Sequence, residues 1–244
     1  MQDFYGWRAR IGLIYPSSST VMEPELYAMA PEGVSVHTAR QDIGPIDVAG
    51  LKGWTGEATV EHCTRQLATA PLDAIILGGT SASFIEGKGW DEDLCRRMQE
   101  VSGGIPATTA TTAATAALKA LGAGKVSFVT AYIDEVNARG RAFLEAHGFE
   151  VTNADGMGIT VDPDISAVPG EAVFEFARRH ASAEADTLFI SCTGLRTVGF
   201  IQALEQDLGM PVVTSNQACF WHALRLAGVR APVAGFGRLF DLDP

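Results

Sequence analysis

Charge is scarce in this chain, and basic charge scarcer. Charged residues make up 19% of the 244 residues, with 18 Lys and Arg against 29 Asp and Glu and a net charge of −11. The longest basic run is the ARRH of residues 177–180. Phosphate backbones are held by clustered Lys and Arg, so a nucleic-acid partner is excluded. Long apolar runs are missing as well: nothing approaches the roughly 20 residues that cross a bilayer. The opening MQDFYGWRAR lacks the basic-then-apolar layout of a secretion signal, so a cytoplasmic protein with no membrane partner is expected. Four cysteines (Cys63, Cys95, Cys192, Cys219) are scattered without a CxxC pair, and five histidines (His37, His62, His147, His180, His222) without HxH or HxxxH spacing. Neither a disulfide framework nor a metal site is suggested. No GxGxxG follows the first strand-like run, and the GAGK of Gly122–Lys125 fails as a phosphate loop because Val126 follows the lysine.

What is abundant is apolar surface: 47% of the residues are hydrophobic, enough for one large domain or two smaller ones. Short apolar runs alternate with amphipathic stretches. Strands are predicted at Arg10–Tyr15, Val34–His37, Asp73–Leu77, Ala107–Thr109, Lys125–Thr130, Glu150–Thr152, Thr187–Ser191, Val212–Thr214 and Val233–Gly235. Most are rich in Ile and Val and do not alternate, the pattern of parallel strands covered on both faces. Asp134–His147 places Val136, Phe143 and Leu144 on one helical side and stops at Gly148; Glu171–His180 does the same with Val173, Phe174 and Ala177. The alternation predicts an α/β fold with parallel sheets.

An internal repeat refines this. GIPATTATTAATAALKALG (Gly104–Gly122) resembles GMPVVTSNQACFWHALRLAG (Gly209–Gly228), each opening with Gly-X-Pro and running as a helix into Gly. Two further stretches match in form, DAIILGGTSASF (Asp73–Phe84) and LFISCTGLRT (Leu188–Thr197): each is a buried-strand run ending in small and hydroxyl residues. The expectation is two similar Rossmann/flavodoxin-like lobes related by a pseudo-twofold, with the active site in the cleft between them. Residues 1–118 plus 222–244 are assigned to the first lobe and residues 119–221 to the second. A strand running into Gly-Thr-Ser offers free N–H groups and short hydroxyls, a nest suited to a carboxylate or developing oxyanion. One such turn reads most simply as a helix cap; two matched turns read as a site.

On these stretches the chain resembles the Asp/Glu racemase superfamily over nearly its whole length. That superfamily is cofactor-free and places one cysteine in each half, on either face of the substrate. Cys192 holds the second position, whereas Gly79 stands where racemases and maleate cis–trans isomerases carry the first cysteine. That asymmetry is a hallmark of the arylmalonate decarboxylases. LGGTSASF (Leu77–Phe84), TAYIDEVNARGRAFL (Thr130–Leu144), CFWHALRLAG (Cys219–Gly228) and GRLFD (Gly237–Asp241) are similar to the same group. TVMEPELYAMAPEGVSVHTAR (Thr20–Arg40) is more similar to the maleate isomerases, which usually have Asn near the position of Ser19.

The resemblance implies a cofactor-free carboxy-lyase acting on a small dicarboxylate, an α-substituted malonate. Cys192 would donate the proton to the α-carbon. Thr80, Ser81, Tyr132 and the backbone at Cys192 and Thr193 would form a dioxyanion hole, with Gly79 facing the thiol and Pro16 and Ser17 lining the pocket. Thr193 departs from the Gly expected after the decarboxylase cysteine. Gly79→Cys would restore two thiols and permit racemisation. A maleate isomerase, an amino-acid or hydantoin-type racemase, and a two-lobed carboxylate binder without chemistry stay open beside this reading. Cys192 itself also reads as an ordinary buried cysteine. Cys63, Cys95 and Cys219 read as core, and His222 as a helix-face residue.

Overall fold

The computed structural model describes residues 5–242. The first four residues of MQDFYGWRAR and the last two assigned to the first lobe lie outside the described residues. The first half runs β1 (Ala9–Pro16), α1 (Met22–Met29), β2 (Val34–Gln41), α2 (Val48–Trp54), α3 (Glu57–Leu67), β3 (Ala74–Leu77), α4 (Thr80–Phe84), α5 (Trp90–Ser102), β4 (Ala107–Thr109) and α6 (Ala110–Ala120). The second half repeats the plan. It runs β5 (Lys125–Thr130), α7 (Asp134–Ala146), β6 (Glu150–Gly156), α8 (Asp162–Ala167), α9 (Gly170–His180), β7 (Thr187–Ser191), α10 (Ile201–Leu208), β8 (Val212–Thr214), α11 (Ser215–Leu226) and a short α12 (Arg238–Asp241).

The strands form two four-stranded parallel sheets, ordered β2-β1-β3-β4 and β6-β5-β7-β8. This is the two-lobed, pseudo-twofold α/β architecture the repeat predicts. Each sheet is buried on both faces: β3 (AIIL) and β7 (TLFIS) are buried at every residue, which is why their sequences read as continuous apolar runs. In each sheet the chain leaves the central strand to one side and returns to the other. That puts a topological switch point between β1 and β3, and its counterpart between β5 and β7.

The repeated Gly-X-Pro segments become β4–α6 and β8–α11. Thr109 and Thr214 are their N-caps, their side chains accepting from Thr112 N and Gln217 N, and Gln217 completes a capping box in the second copy. Helix α6 buries Ala110, Ala113, Ala114 and Ala117 at i, i+3, i+4 and i+7, and this small-residue face admits the close approach of α11. Helix α11 also packs on α1, β3 and β4, so this long helix of the second half lies against the first sheet. Cys219 is wholly buried within it.

Three predicted strands prove longer: β1 gains Ala9 and Pro16, β2 reaches Gln41 and β6 reaches Gly156. Val233–Gly235 is not a strand. Pro232 before it has no N–H to give a ladder, and Gly235 sits at φ 92°, so the run turns and joins neither sheet. Among the described residues no helix is long and apolar enough to cross a membrane.

Candidate active site

Four strand ends meet across the cleft. Pro16 ends β1, Gly78 and Gly79 follow β3, Ala131 and Tyr132 follow β5, and Cys192 follows β7. Pro16, Gly79, Thr80, Ser81, Tyr132, Cys192 and Thr193 line one cavity of about 20 Å³, room for about one water. Ser17 does not line it; its hydroxyl donates to Asp42 Oδ1 at 2.8 Å. The remaining wall comes from Ile43, Ile46, Leu51, Ala82, Asp162 and Ile165. The 42–51 segment leans on the opposite lobe, where Ile46 N donates to Thr160 O at 2.8 Å. Any ligand larger than about one water requires the cavity to open.

Cys192 is held in an unusual backbone. Its φ of 155° makes it the one non-glycine residue with positive φ among the described residues. Such conformations persist where surrounding contacts impose them, and they concentrate at functional positions. Two contacts impose it here: Cys192 N donates to Ser215 Oγ at 3.1 Å, and Gly194 N donates to Cys192 Sγ at 3.4 Å. The thiol is pushed up to about 12, chiefly by burial, with the negative charge of Asp162 adding and the Gly194 amide opposing. It is a protonated thiol at neutral pH.

Neutral donors surround it. Thr80 Oγ1 donates to Ser215 Oγ at 2.9 Å across the lobes, so one hydroxyl ties the Gly-Thr-Ser turn to the Cys192 amide. Thr193 Oγ1 donates to Gly78 O at 3.2 Å, a second cross-lobe bond. The Tyr132 ring packs edge-on to Phe84, centroids 6.1 Å apart. Its buried hydroxyl meets no hydrogen-bond geometry, although Ser81, Ser191 and Cys192 lie close enough to act on it; burial raises its pKa well above the usual phenol value. Because Thr80 and the Cys192 amide are already engaged with Ser215, Ser81 and Tyr132 are the side chains freest to meet a ligand oxygen.

The Gly79 side of the cavity is filled. A Cβ built at Gly79 would lie 2.3 Å from Trp54 Cζ3 and 2.8 Å from Cη2, far inside contact distance. The indole is 3% exposed. Trp54 occupies the space that a side chain at Gly79 would enter, so a thiol placed there by Gly79→Cys requires the indole to shift.

Several groups that shape the site were not singled out from the sequence. Glu25 of α1 accepts from Thr197 N (2.5 Å), Val198 N (3.1 Å), Thr197 Oγ1 (3.2 Å) and Asn216 Nδ2 (2.6 Å). Asn216 Nδ2 also donates to Thr193 O at 3.1 Å, so this carboxyl anchors the loop that carries Cys192 and Thr193. Burial raises the Glu25 pKa despite those donors. Ser215 had one available signal: it follows the Thr cap in the second repeat where the first has Ala110. Glu25 and Asp162 had none, because their partners lie far away in sequence. Among the described residues no group of three His, Cys, Asp or Glu could hold a metal ion.

Comparison with known proteins identifies the chain's relatives. The family model described as arylmalonate decarboxylase matches residues 11–240. The chain is 39% identical over 188 residues to arylmalonate decarboxylase of Bordetella bronchiseptica, covering 76% of this chain and 78% of that one. It is 28% identical over 243 residues to maleate isomerase of Nocardia farcinica, covering 96% of each. A solved structure of a glycine-to-cysteine, cysteine-to-serine double mutant of arylmalonate decarboxylase in liganded form superposes with a TM-score of 0.89 at 32% identity, covering 96% of this chain and 99% of that one.

Proposed function

Given that the chain belongs to the arylmalonate decarboxylase family, within the Asp/Glu racemase superfamily, we propose that it decarboxylates an α-substituted malonate without a cofactor. The observation that carries this reading is a single thiol, Cys192, on a cavity whose other polar groups are mostly neutral donors, with Gly79 and Trp54 where a second thiol would stand.

Loss of CO2 breaks a C–C bond and leaves its electron pair on the α-carbon, delocalised as an enediolate onto the retained carboxylate. Donors fixed in advance on those oxygens stabilise the charge as it grows, and removing one such donor typically costs about 10²–10³ in rate. Ser81, Tyr132 and the Thr193 backbone take this role, with Thr80 positioned through Ser215. The departing carboxylate lies toward Ile43, Ile46 and Leu51, where its charge is poorly solvated. Cys192 then gives its proton to the α-carbon from one face, and the thiolate recovers a proton from solvent. A thiol raised to about 12 by burial suits a donor that must be protonated beforehand. With no acid on the Gly79 side, one enantiomer results.

The test is CO2 release from phenylmalonate and its α-methyl derivative. Cys192→Ala is expected to lower kcat by about 10²–10⁴, the usual contribution of a positioned acid; undiminished release refutes the role.

A second reading, maleate isomerisation, is supported by similarity that runs end to end, 96% of both chains. There Cys192 acts as a thiolate adding to an alkene. Burial and the neighbouring Asp162 charge disfavour that thiolate. Proton NMR of maleate with the protein distinguishes the two, since the isomerase reading requires fumarate to appear.

A further inference from the structure

Among the described residues Asp162 is the one acidic residue on the cavity, and no Lys, Arg or His accompanies it there. It opens α8 just beyond β6, on the same wall as Cys192, and is 7% exposed. Its Oδ2 accepts from Ser18 Oγ of the opposite lobe at 2.6 Å. Among the described residues no other hydrogen bond to the carboxyl is made, so Oδ1, which is not sealed from solvent, has no partner among them; it lies 3.7 Å from where a Gly194 Cβ would stand. Burial holds the carboxyl above its ordinary range, with Ser18 alone opposing. A buried carboxylate without counter-charge is costly, and a substrate carboxylate placed beside it would be repelled. The ligand group that relieves this is a hydrogen-bond donor.

We propose that Asp162 determines specificity by reading the substituent on the substrate's reacting carbon, Oδ1 accepting a hydrogen bond from a hydroxyl or ammonium group while Ser18 holds Oδ2. This rests on the α-substituted malonate reading and deepens it, adding a donor group to the substituents the site selects. Ile165, which borders the Gly194 position together with Asp162 Oδ1, makes the selection sharp. An apolar pocket rejects an added hydroxyl only weakly, whereas a site with a buried polar partner strongly rejects an analogue that leaves it unpaired.

Calorimetric titration with 2-phenylpropanoate, mandelate and phenylglycine tests this, since these acids differ only in bearing methyl, hydroxyl or ammonium on the same carbon. The unmodified protein is expected to bind mandelate and phenylglycine at least about tenfold more tightly than 2-phenylpropanoate. Asp162→Val inverts the order. Asp162→Asn, nearly isosteric and therefore the safer variant for folding, keeps the preference for mandelate and loses that for phenylglycine. Binding of all three acids within a factor of about two in the unmodified protein, failure of mandelate and phenylglycine to bind, or an unchanged order in Asp162→Val overturns the proposal. CO2 release from phenylmalonate is scored separately. Release without the ranking sinks the role of Asp162 alone, and the ranking without release sinks decarboxylation alone.

Discussion

The turn after β3 and the turn after β7 hold equivalent places in the two sheets, yet they are built in opposite ways. The first reaches its helix through two glycines. Gly79 sits at φ −150°, an extended backbone open to any residue, so conformation does not demand glycine there. Packing does, because Trp54 lies where a side chain would go. The second turn carries a side chain, Cys192, in a backbone that side chains rarely adopt, and surrounding bonds hold it. Pseudo-symmetry thus supplies two matched frames, and the contacts behind each frame decide which one bears the reactive group.

Removing what holds the second turn is expected to have the largest effect on stability. Glu25→Ala leaves the Thr197 and Val198 amides and Asn216 Nδ2 without their acceptor, a loss of about 3 kcal/mol. That lowers the melting temperature by roughly 6–12 °C for a chain of this length, read by calorimetry. A shift under about 2 °C would mean the loop is anchored elsewhere.

Making the first turn resemble the second comes next. Gly79→Cys drives its side chain into the Trp54 ring and is expected to cost about 1–3 kcal/mol, as overpacking does. Trp54→Leu in the same chain recovers part of that, a favourable coupling in a double-mutant cycle. Racemisation of an α-aryl carboxylate should appear only in the double variant. Equal racemisation by Gly79→Cys alone would show that the indole yields readily.

Ser215→Ala severs the link between the two turns by returning the second repeat to the alanine of the first. The expected result is a fall in kcat of about tenfold, with KM less affected, because the residue positions Thr80 and the Cys192 amide and need not touch substrate. An unchanged kcat breaks the argument that the turns work as a pair.

The smallest effect is in the pH dependence of folding. The Glu25 pKa is raised in the folded protein, so the folded state binds its proton more tightly than the unfolded chain does. Stability is fully present below the ordinary carboxylate value and falls as pH rises through the folded value. Glu25→Gln should remove this slope, measured by urea denaturation between acidic and neutral pH; an identical slope in the variant would assign it to another group.

The path from sequence to site was uneven for a physical reason. Strand runs such as AIIL and TLFIS, the paired Gly-X-Pro segments and the Thr caps are local, and period and capping chemistry reveal them directly. The family resemblance points to Pro16, Gly79, Thr80, Ser81, Tyr132, Cys192 and Thr193, and they line one cavity in the fold, where strand ends at a switch point face a common cleft. The same resemblance points to Ser17, but its hydroxyl turns to Asp42. Val233–Gly235 had strand composition without a sheet edge to join.

The amino-acid order by itself determined two parallel sheets, their near-symmetry and the single cysteine at a strand end, because each follows from neighbours within a few residues of one another. Only the folded chain decided that Trp54 closes the side facing that cysteine, that Ser215 joins the turns, and that Glu25 and Asp162 bear on the loop and the cavity. Those contacts join residues 23 to 191 positions apart, and distances of that kind are set by how the elements pack in three dimensions, which no local pattern encodes.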